Sequence, residues 1–390
     1  MDMYPRLCNP LKSKSFILIG SRGTGKSTFL KAIFSENDTL WIDFLTAKDE
    51  DRFSSNPDTL FDIVTLAKNP YEWVIIDEVQ KVPKILDVIH RILESKIVNT
   101  KFALTGSSAR KLKKGAANLL AGRAISHFLF PFTVDELGSD FNLEKALNFG
   151  LLPTVWTTSS NEEIKEYLRS YTDLYIKEEI WLEQLIKNLV PFRKFLEVSS
   201  QMNGEIINFS KIARQIDCDV KTVQNYFQIL EDTNITFTLE AYHTSIRKRL
   251  ISSPKFYFFD IGIKRALERS LNLEITPNNF TYGKHFEHFL IIQMFFCNHY
   301  KKLDYQFFYL KTKDGAEIDL IIDRPGEPLA IIEIKSTSKI EKNDFQTLIE
   351  FKRSLPNAEA FCLSQDTYER VDSEINIMPW QKGLKFLKLI

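Results

Sequence analysis

The stretch Gly20-Ser21-Arg22-Gly23-Thr24-Gly25-Lys26-Ser27-Thr28 contains the spacing G-x-x-x-x-G-K-[ST] without a gap. That spacing does phosphate chemistry. Its glycines permit positive φ and let backbone N–H groups close around an anion. The lysine, Lys26, is placed to reach β- and γ-phosphates, and the Ser27 hydroxyl to ligate Mg²⁺. Further on, the apolar run Trp73-Val74-Ile75-Ile76 ends in two carboxylates, Asp77 and Glu78. Asp77 can enter the Mg²⁺ shell, while Glu78 can orient and deprotonate an attacking water. Paired acids after a strand also cap helices, but the glycine loop upstream favours catalysis. A third run, Lys101 to Ser108, brings Thr105 or Ser107 to a strand end, where a hydroxyl can hold the lytic water or simply turn the chain. Arg123 and Arg110 are candidates for neutralising transition-state charge in a neighbouring subunit, although such arginines are more often solvated or ion-paired.

A second constellation lies near the other end. Asp319 falls on one apolar run and Glu333-x-Lys335 on the next, with Glu287 on an earlier helical stretch. Carboxylates are hard ligands for Mg²⁺ or Mn²⁺. With a side-chain period of two, Glu333 and Lys335 share a strand face, so the lysine can steady charge beside a metal-activated water. Short motifs of this kind also arise by chance at the ends of solvated strands. His285 and His288 lie three apart on the same helical stretch, without a third ligand at clear spacing, and read as surface or core residues.

The elements that must position these groups follow from hydrophobic period. Ser15 to Ile19, Thr39 to Phe44, Trp73 to Glu78, Lys101 to Ser108 and His127 to Phe130 read as strands, and Asp49 to Arg52 as a loop. Ser27 to Phe34 and Val79 to Glu94 read as helices. Strands alternating with helices imply a parallel sheet covered on both faces. Val134 to about Val190 reads as a helical lid. Ser210 to Ile216 and Val220 to Asp232 form two helices about a tight turn, with Ile235 to Leu239 and Lys248 to Ser252 as a candidate wing. Lys221, Gln224 and Asn225 point outward there, and Arg247-Lys248-Arg249 is basic, a set that can touch bases and phosphates.

Composition bounds the rest. Of 390 residues, 44% are hydrophobic and 26% charged, which is globular and long enough for two or three domains. Lys+Arg and Asp+Glu balance at 51 each, so any attraction to nucleic acid must be local. Four scattered cysteines argue for reduced thiols and against a zinc module. The first residues show no signal pattern and no apolar run is long enough to span a bilayer, so a soluble, cytoplasmic protein is expected.

In this order, Gly20 to Thr28, Ile75-Ile76-Asp77-Glu78-Val79-Gln80, Leu104 to Ser108, Leu120-Ala121-Gly122-Arg123, Gly150-Leu151-Leu152-Pro153 and Lys255 to Gly262 resemble the prokaryotic AAA-type ATPases that carry a C-terminal domain of formerly unknown function. Leu151-Leu152 depart mildly from the family's loop. The resemblance implies an α/β fold in three parts: an AAA-type P-loop ATPase with helical lid over 1–190, a winged helix over 191–262, and a restriction-nuclease-like α/β domain over 263–390. It implies ATP and Mg²⁺ as cofactors, with Mn²⁺ an option at the second site. It also implies DNA as a partner, no membrane, and a homo-oligomer such as a hexameric ring. The expected function is ATP hydrolysis acting on DNA, with metal-dependent cleavage by the second constellation. The alternative is an ATP-driven regulatory or signalling switch whose C-terminal domain binds DNA or protein without cutting.

Overall fold

The computed structural model describes residues 4–35, 39–106, 120, 122–174, 186, 188–243 and 252–390. Ser107, Ser108, Arg110 and the 247–249 basic triplet lie outside these. The chain divides into two compact units, one built on Arg6–Pro131 with Asp232–Asn234, the other on Phe132–Glu231 and Ile235–Ile390.

The first unit carries a five-stranded sheet of β1 (Ser15–Ile19), β2 (Thr39–Asp43), β3 (Trp73–Asp77), β4 (Lys101–Gly106) and β5 (Ala124–Phe128), in the order β2-β3-β4-β1-β5. Every pairing is parallel. Central parallel strands are buried on both faces, which is why they read as unbroken apolar runs. On one face Ile17, Ile19, Val74, Ile76, Phe102 and Leu104 pack with Phe53, Leu60, Ile85 and Ile89 from flanking helices. On the other, Phe34 at the end of the helix Lys26–Ile33 stacks on Phe16 and meets Trp73 at 4.7 Å between ring centroids.

Two expectations need correction here. Asp49 to Arg52 is helix, not loop, within Ala47–Ser55. Thr46 caps it through Asp49 N, the acids Asp49 and Glu50 favour its positive end, and Phe53 anchors it. The helix expected from Val79 is a 3₁₀ turn (Val79–Lys81) and then a separate helix, Ile85–Ser95. Pro83 explains the break, because it pushes Val82 out of the α region.

The second unit begins with short helices, Val134–Leu137, Leu143–Phe149, Pro153–Thr157 and Asn161–Leu174. Phe209–Ile216 and Val220–Asp232 then flank a three-residue turn, and Asp219 caps the second helix through Thr222 N at 2.8 Å. The strand that follows, β6 (Thr236–Ala241), pairs antiparallel with β7 (Lys255–Phe258), and 248–251 of the expected wing strand lie outside the described residues. All four residues of β7 are buried, and Phe256 meets Phe227 of the preceding helix at 4.8 Å.

This hairpin is also an edge of a larger sheet. β8 (Gln306–Lys311) pairs parallel with β6, and β9 (Glu317–Asp323), β10 (Ala330–Ile334), β11 (Glu359–Ser364), β12 (Arg370–Asp372) and β13 (Ile375–Pro379) complete eight strands in the order β12-β13-β11-β10-β9-β8-β6-β7. The residues expected to divide at 262 therefore share one hydrogen-bonded sheet. The long helix Tyr282–Lys301 buries residues all round its circumference, including Phe286, Phe289, Leu290, Ile292 and Met294, so it is a core helix. Among the described residues no helix is long and apolar enough to cross a membrane.

Two of the motif pieces meet inside this unit. The buried Asp260 carboxylate accepts from Leu151 N at 2.6 Å and from Ile263 N at 3.1 Å, which ties the 150–153 turn to the start of the helix Ile261–Leu267. Burial raises the Asp260 pKa to about 6, against the pull of those backbone donors. Neither adjacent glycine has room for a side chain. A Cβ on Gly150 would stand 2.2 Å from Asp260 Oδ1, and one on Gly262 would stand 2.1 Å from the Phe149 carbonyl oxygen. Gly→Ala inside a helix ordinarily stabilises by about 1 kcal/mol. Gly262→Ala is expected to reverse that sign and cost about 1–3 kcal/mol through overpacking, read as a lower denaturation midpoint in urea.

Candidate active sites

In the first unit, the parallel register decides what meets. Leu18 is level with Thr105, Ile19 with Gly106, and Ile76 with Leu104. The chain therefore leaves β1 into the glycine loop beside the ends of β3 and β4, which carry Asp77 and Thr105. Ligands of open α/β sheets bind outside such carboxyl ends.

The loop's backbone is committed to its curve. Gly23 and Gly25 have φ of 77° and 89°, and Gly25 precedes the first helical residue, Lys26. Gly20 admits no side chain, because its Cβ would lie 2.4 Å from the Leu129 carbonyl oxygen. The Thr24 hydroxyl donates to the Ser21 carbonyl at 2.9 Å. Lys26 is buried, and its ammonium donates to the carbonyl oxygens of Gly20 (2.8 Å) and Ser21 (3.3 Å), so it lies folded within the loop. Ser27 and Arg22 are partly accessible and Thr28 is exposed.

Across from the loop, the fully buried Thr105 hydroxyl donates to Asp77 Oδ1. The Glu78 amide donates to the same Asp77 oxygen and to Thr105 Oγ1, both at 3.1 Å. Glu78 itself takes a left-handed backbone (φ 53°, ψ 47°), an uncommon state for a non-glycine residue and one found often at functional sites. Gln80 donates to its carboxylate. Asp77, Glu78 and Thr105 thus form one hydrogen-bonded group. Arg123 lies elsewhere on this unit, at the head of β5, in a surface ion pair with Glu94.

In the second unit, β9 and β10 run antiparallel with Leu320 opposite Ile332. Asp319 and Glu333 stand one step beyond that last pair. Asp319 Oδ2 accepts from Ile334 N at 2.8 Å, and Lys335 Nζ donates to Glu333 Oε1 at 2.7 Å, as a two-residue period requires. Glu287 comes from the helix Tyr282–Lys301, and the Tyr257 hydroxyl donates to its Oε1 at 2.8 Å. Three more residues join this cluster. Lys255, 3% exposed on β7, pairs with Glu317 of β9, whose other oxygen accepts from Lys311 at 2.7 Å.

The electrostatics are those of crowded acids. Burial, then the neighbouring Asp319 charge, raises Glu333 to about 8 and Glu287 to about 7. Burial raises Asp319 too, against Lys255. Burial works against the Lys255 ammonium, yet Glu287, Glu317 and Asp319 outweigh it and hold its pKa above the ordinary value. Among the described residues, no group of three or more His, Cys, Asp or Glu is gathered so as to hold a metal ion. The expected ligand set of Glu287, Asp319 and Glu333 is therefore not closed, because each acid already engages Tyr257, Ile334 N or Lys335. Glu333 Oε2, by contrast, is buried without a hydrogen-bond partner, which suits a further ligand. His285 and His288 are core residues: their rings bond to the carbonyls of Thr281 and Phe258, and burial lowers both pKa values to about 3.

The motifs were legible; Lys255, Tyr257 and Glu317 were not assigned roles from sequence. One signal was available, since Lys255 and Tyr257 are two apart on a strand and so share a face.

Comparison with known proteins follows this division. Residues 12–138 match a family described as an AAA domain, while 140–277 and 282–382 match two families described only as domains of unknown function (DUF8612 and DUF4143). The first of these parts is thus an AAA-type P-loop ATPase domain. Uncharacterized proteins of Mycobacterium bovis and Mycobacterium tuberculosis are each 25% identical over 341 residues, covering 86% of this chain and 74% of theirs. Among solved structures, the ADP form of the Aeropyrum pernix ORC2 protein covers 67% of this chain and 87% of its own, at 13% identity and a TM-score of 0.30. A DNA polymerase III gamma subunit-related protein of Thermotoga maritima covers 57% and 93%, at 10% identity and a TM-score of 0.27.

The raised carboxylates fix a sign for pH dependence. Between the ordinary glutamate value near 4.5 and the raised values, the folded chain holds more protons than the unfolded one, so stability from these groups falls as pH rises. For Glu333 that window runs from about 4.5 to about 8. The wild type minus Glu333→Gln difference in urea midpoint should therefore shift against the wild type between pH 5 and pH 8.5.

Proposed function

We propose that the protein hydrolyses ATP and uses the cycle to act on DNA. The observation that carries the first half is the Thr105 hydroxyl, which links Asp77 and the Glu78 amide at strand ends beside the glycine loop. In this reading Gly20, Ser21, Arg22, Gly23, Thr24, Gly25 and Thr28 cradle the phosphates, Lys26 leaves its loop carbonyls for the β- and γ-oxygens, and Ser27 and Asp77 hold Mg²⁺. Glu78 orients the attacking water, and Thr105 keeps the acids in register. Arg123 acts in trans within a homo-oligomer, such as a hexameric ring.

The DNA half draws on the helix Val220–Asp232, where Lys221, Gln224 and Asn225 are exposed in the place a recognition helix would use, ahead of the β6–β7 hairpin as a wing. In the restriction-nuclease-like reading, Asp319, Glu333 and Glu287 would hold Mg²⁺ or Mn²⁺, and Lys335 would orient the water. The ion would acidify that water and neutralise charge on the phosphate. The unpartnered Glu333 Oε2 supports this. A specific observation favours the second reading, a switch that binds without cutting: Lys255, paired with Glu317, already supplies positive charge that Glu287 and Asp319 feel.

Glu78→Gln should retain ATP binding while turnover falls by roughly 10²–10⁴-fold, and Lys26→Ala should lose both. The assay is ATP hydrolysis with and without branched, single-stranded and duplex DNA, with DNA integrity read in the same tubes in Mg²⁺ or Mn²⁺. Cleavage lost in Asp319→Ala with turnover intact supports the nuclease. DNA-stimulated turnover without cleavage supports the non-cutting reading, and indifference to every DNA rejects DNA as the partner.

A further inference from the structure

We propose that a cavity of about 430 Å³ in the second unit binds a flat, uncharged nitrogen heterocycle that donates N–H groups, the chemistry of a nucleobase. Its walls come from the helix Ile261–Leu267, the 268–281 segment after it and the first turns of the helix Tyr282–Lys301. The inference depends neither on the reading of Glu287, Asp319 and Glu333 nor on the ATP cycle.

Two histidines carry it. His285 and His288 both line the cavity, at 3% and 1% exposure, and three residues apart on a helix they share a face. A carbonyl oxygen only accepts, so the ring nitrogens that reach carbonyls must bear the protons. These are His285 Nδ1, 2.8 Å from the Thr281 oxygen, and His288 Nε2, 2.6 Å from the Phe258 oxygen. Both tautomers are thereby fixed. Each ring keeps one lone pair, on His285 Nε2 and His288 Nδ1, and both of those atoms are buried without a hydrogen-bond partner. Native structures seldom leave buried acceptors in that state. Burial also keeps both rings neutral at ordinary pH, so they are acceptors there and not cations.

The rest of the wall narrows the ligand. Lys264 pairs with Glu268 at 2.7 Å and Lys284 with Glu205 at 3.0 Å, so neither lysine calls for an anion. Glu274, exposed at the same wall, adds another acceptor. Leu273 and Ile275 give apolar surface, and Phe280, 92% exposed, offers a ring face for stacking. Apolar walls with a few convergent polar groups are the usual make-up of small-molecule sites, which run from about 300 to 1,000 Å³. A planar ring with apolar faces and N–H groups on its edge matches both parts. The two imidazole nitrogens lie just beneath the cavity surface, and the ligand edge meets them after a side-chain shift of the kind common at binding sites.

The test is ¹⁵N NMR of the histidine rings in full-length protein, titrated to millimolar adenosine, guanosine, cytidine and thymidine with ADP present to occupy the P-loop. At least one nucleoside should bind and move the lone-pair nitrogens of His285 and His288 upfield as they begin to accept. His285→Phe keeps the ring's bulk but removes one acceptor, and should weaken binding about tenfold. Phe280→Ala changes an exposed side chain that folding does not need, and should weaken binding by about the same factor through lost stacking. Binding that both variants leave unchanged lies elsewhere and overturns the proposal. Failure of all four nucleosides to shift either nitrogen overturns it as well, and leaves the ATPase and DNA readings untouched.

Discussion

Polar atoms in a sheet buried on both faces have only the strand ends to go to, and the first unit depends on that constraint. β1, β3 and β4 are apolar along their lengths, and each changes to polar residues at its carboxyl end: the glycine loop, Asp77 with Glu78, and Thr105. Parallel pairing brings those three ends together without any long-range signal in the sequence. The Thr105 hydroxyl then completes the group by bonding to what the neighbouring strand delivers.

The second unit solves a different problem. Its acids sit inside a sheet rather than beyond it, where Asp319 of β9 and Glu333 of β10 lie next to the pair Leu320–Ile332. Charge there must be answered by charge from the same layer, and the answers arrive from separate segments: Lys335 two residues along, Lys255 from the hairpin, and a phenol from Tyr257. Apolar packing around Ile318, Ile321, Ile331 and Cys362 holds the strands that carry them.

This contrast explains what the sequence disclosed. Lys26, Ser27, Asp77, Glu78, Asp319, Glu333 and Lys335 are legible because local spacing and strand period determine their placement. The strands bearing them were assigned within a few residues for the same reason. Lys255 meeting Glu317 was hidden, since that contact exists only after strands distant in the chain pair through β6 and β8. The helix Ala47–Ser55 was hidden for the opposite reason: one buried phenylalanine and a threonine cap define it, too little for a hydrophobic period. The left-handed Glu78 has no compositional mark at all. Among the resemblance motifs, Gly150 to Pro153 and Phe259 to Gly262 prove to be two halves of one packing contact, which assigns them to architecture rather than chemistry.

The pairing of β6 with β8 has a consequence for how the chain comes to be folded. Glu240 and Ala241 find their ladder partners only at Phe308 and Tyr309. During synthesis the hairpin must wait, with one edge open, until the long helix and β8 have emerged. Open strand edges invite pairing with other chains. A fragment ending after β7 would keep that edge permanently, so the two helices and their hairpin are poor candidates for expression alone. The later strands would in turn lose a neighbour if the hairpin were cut away.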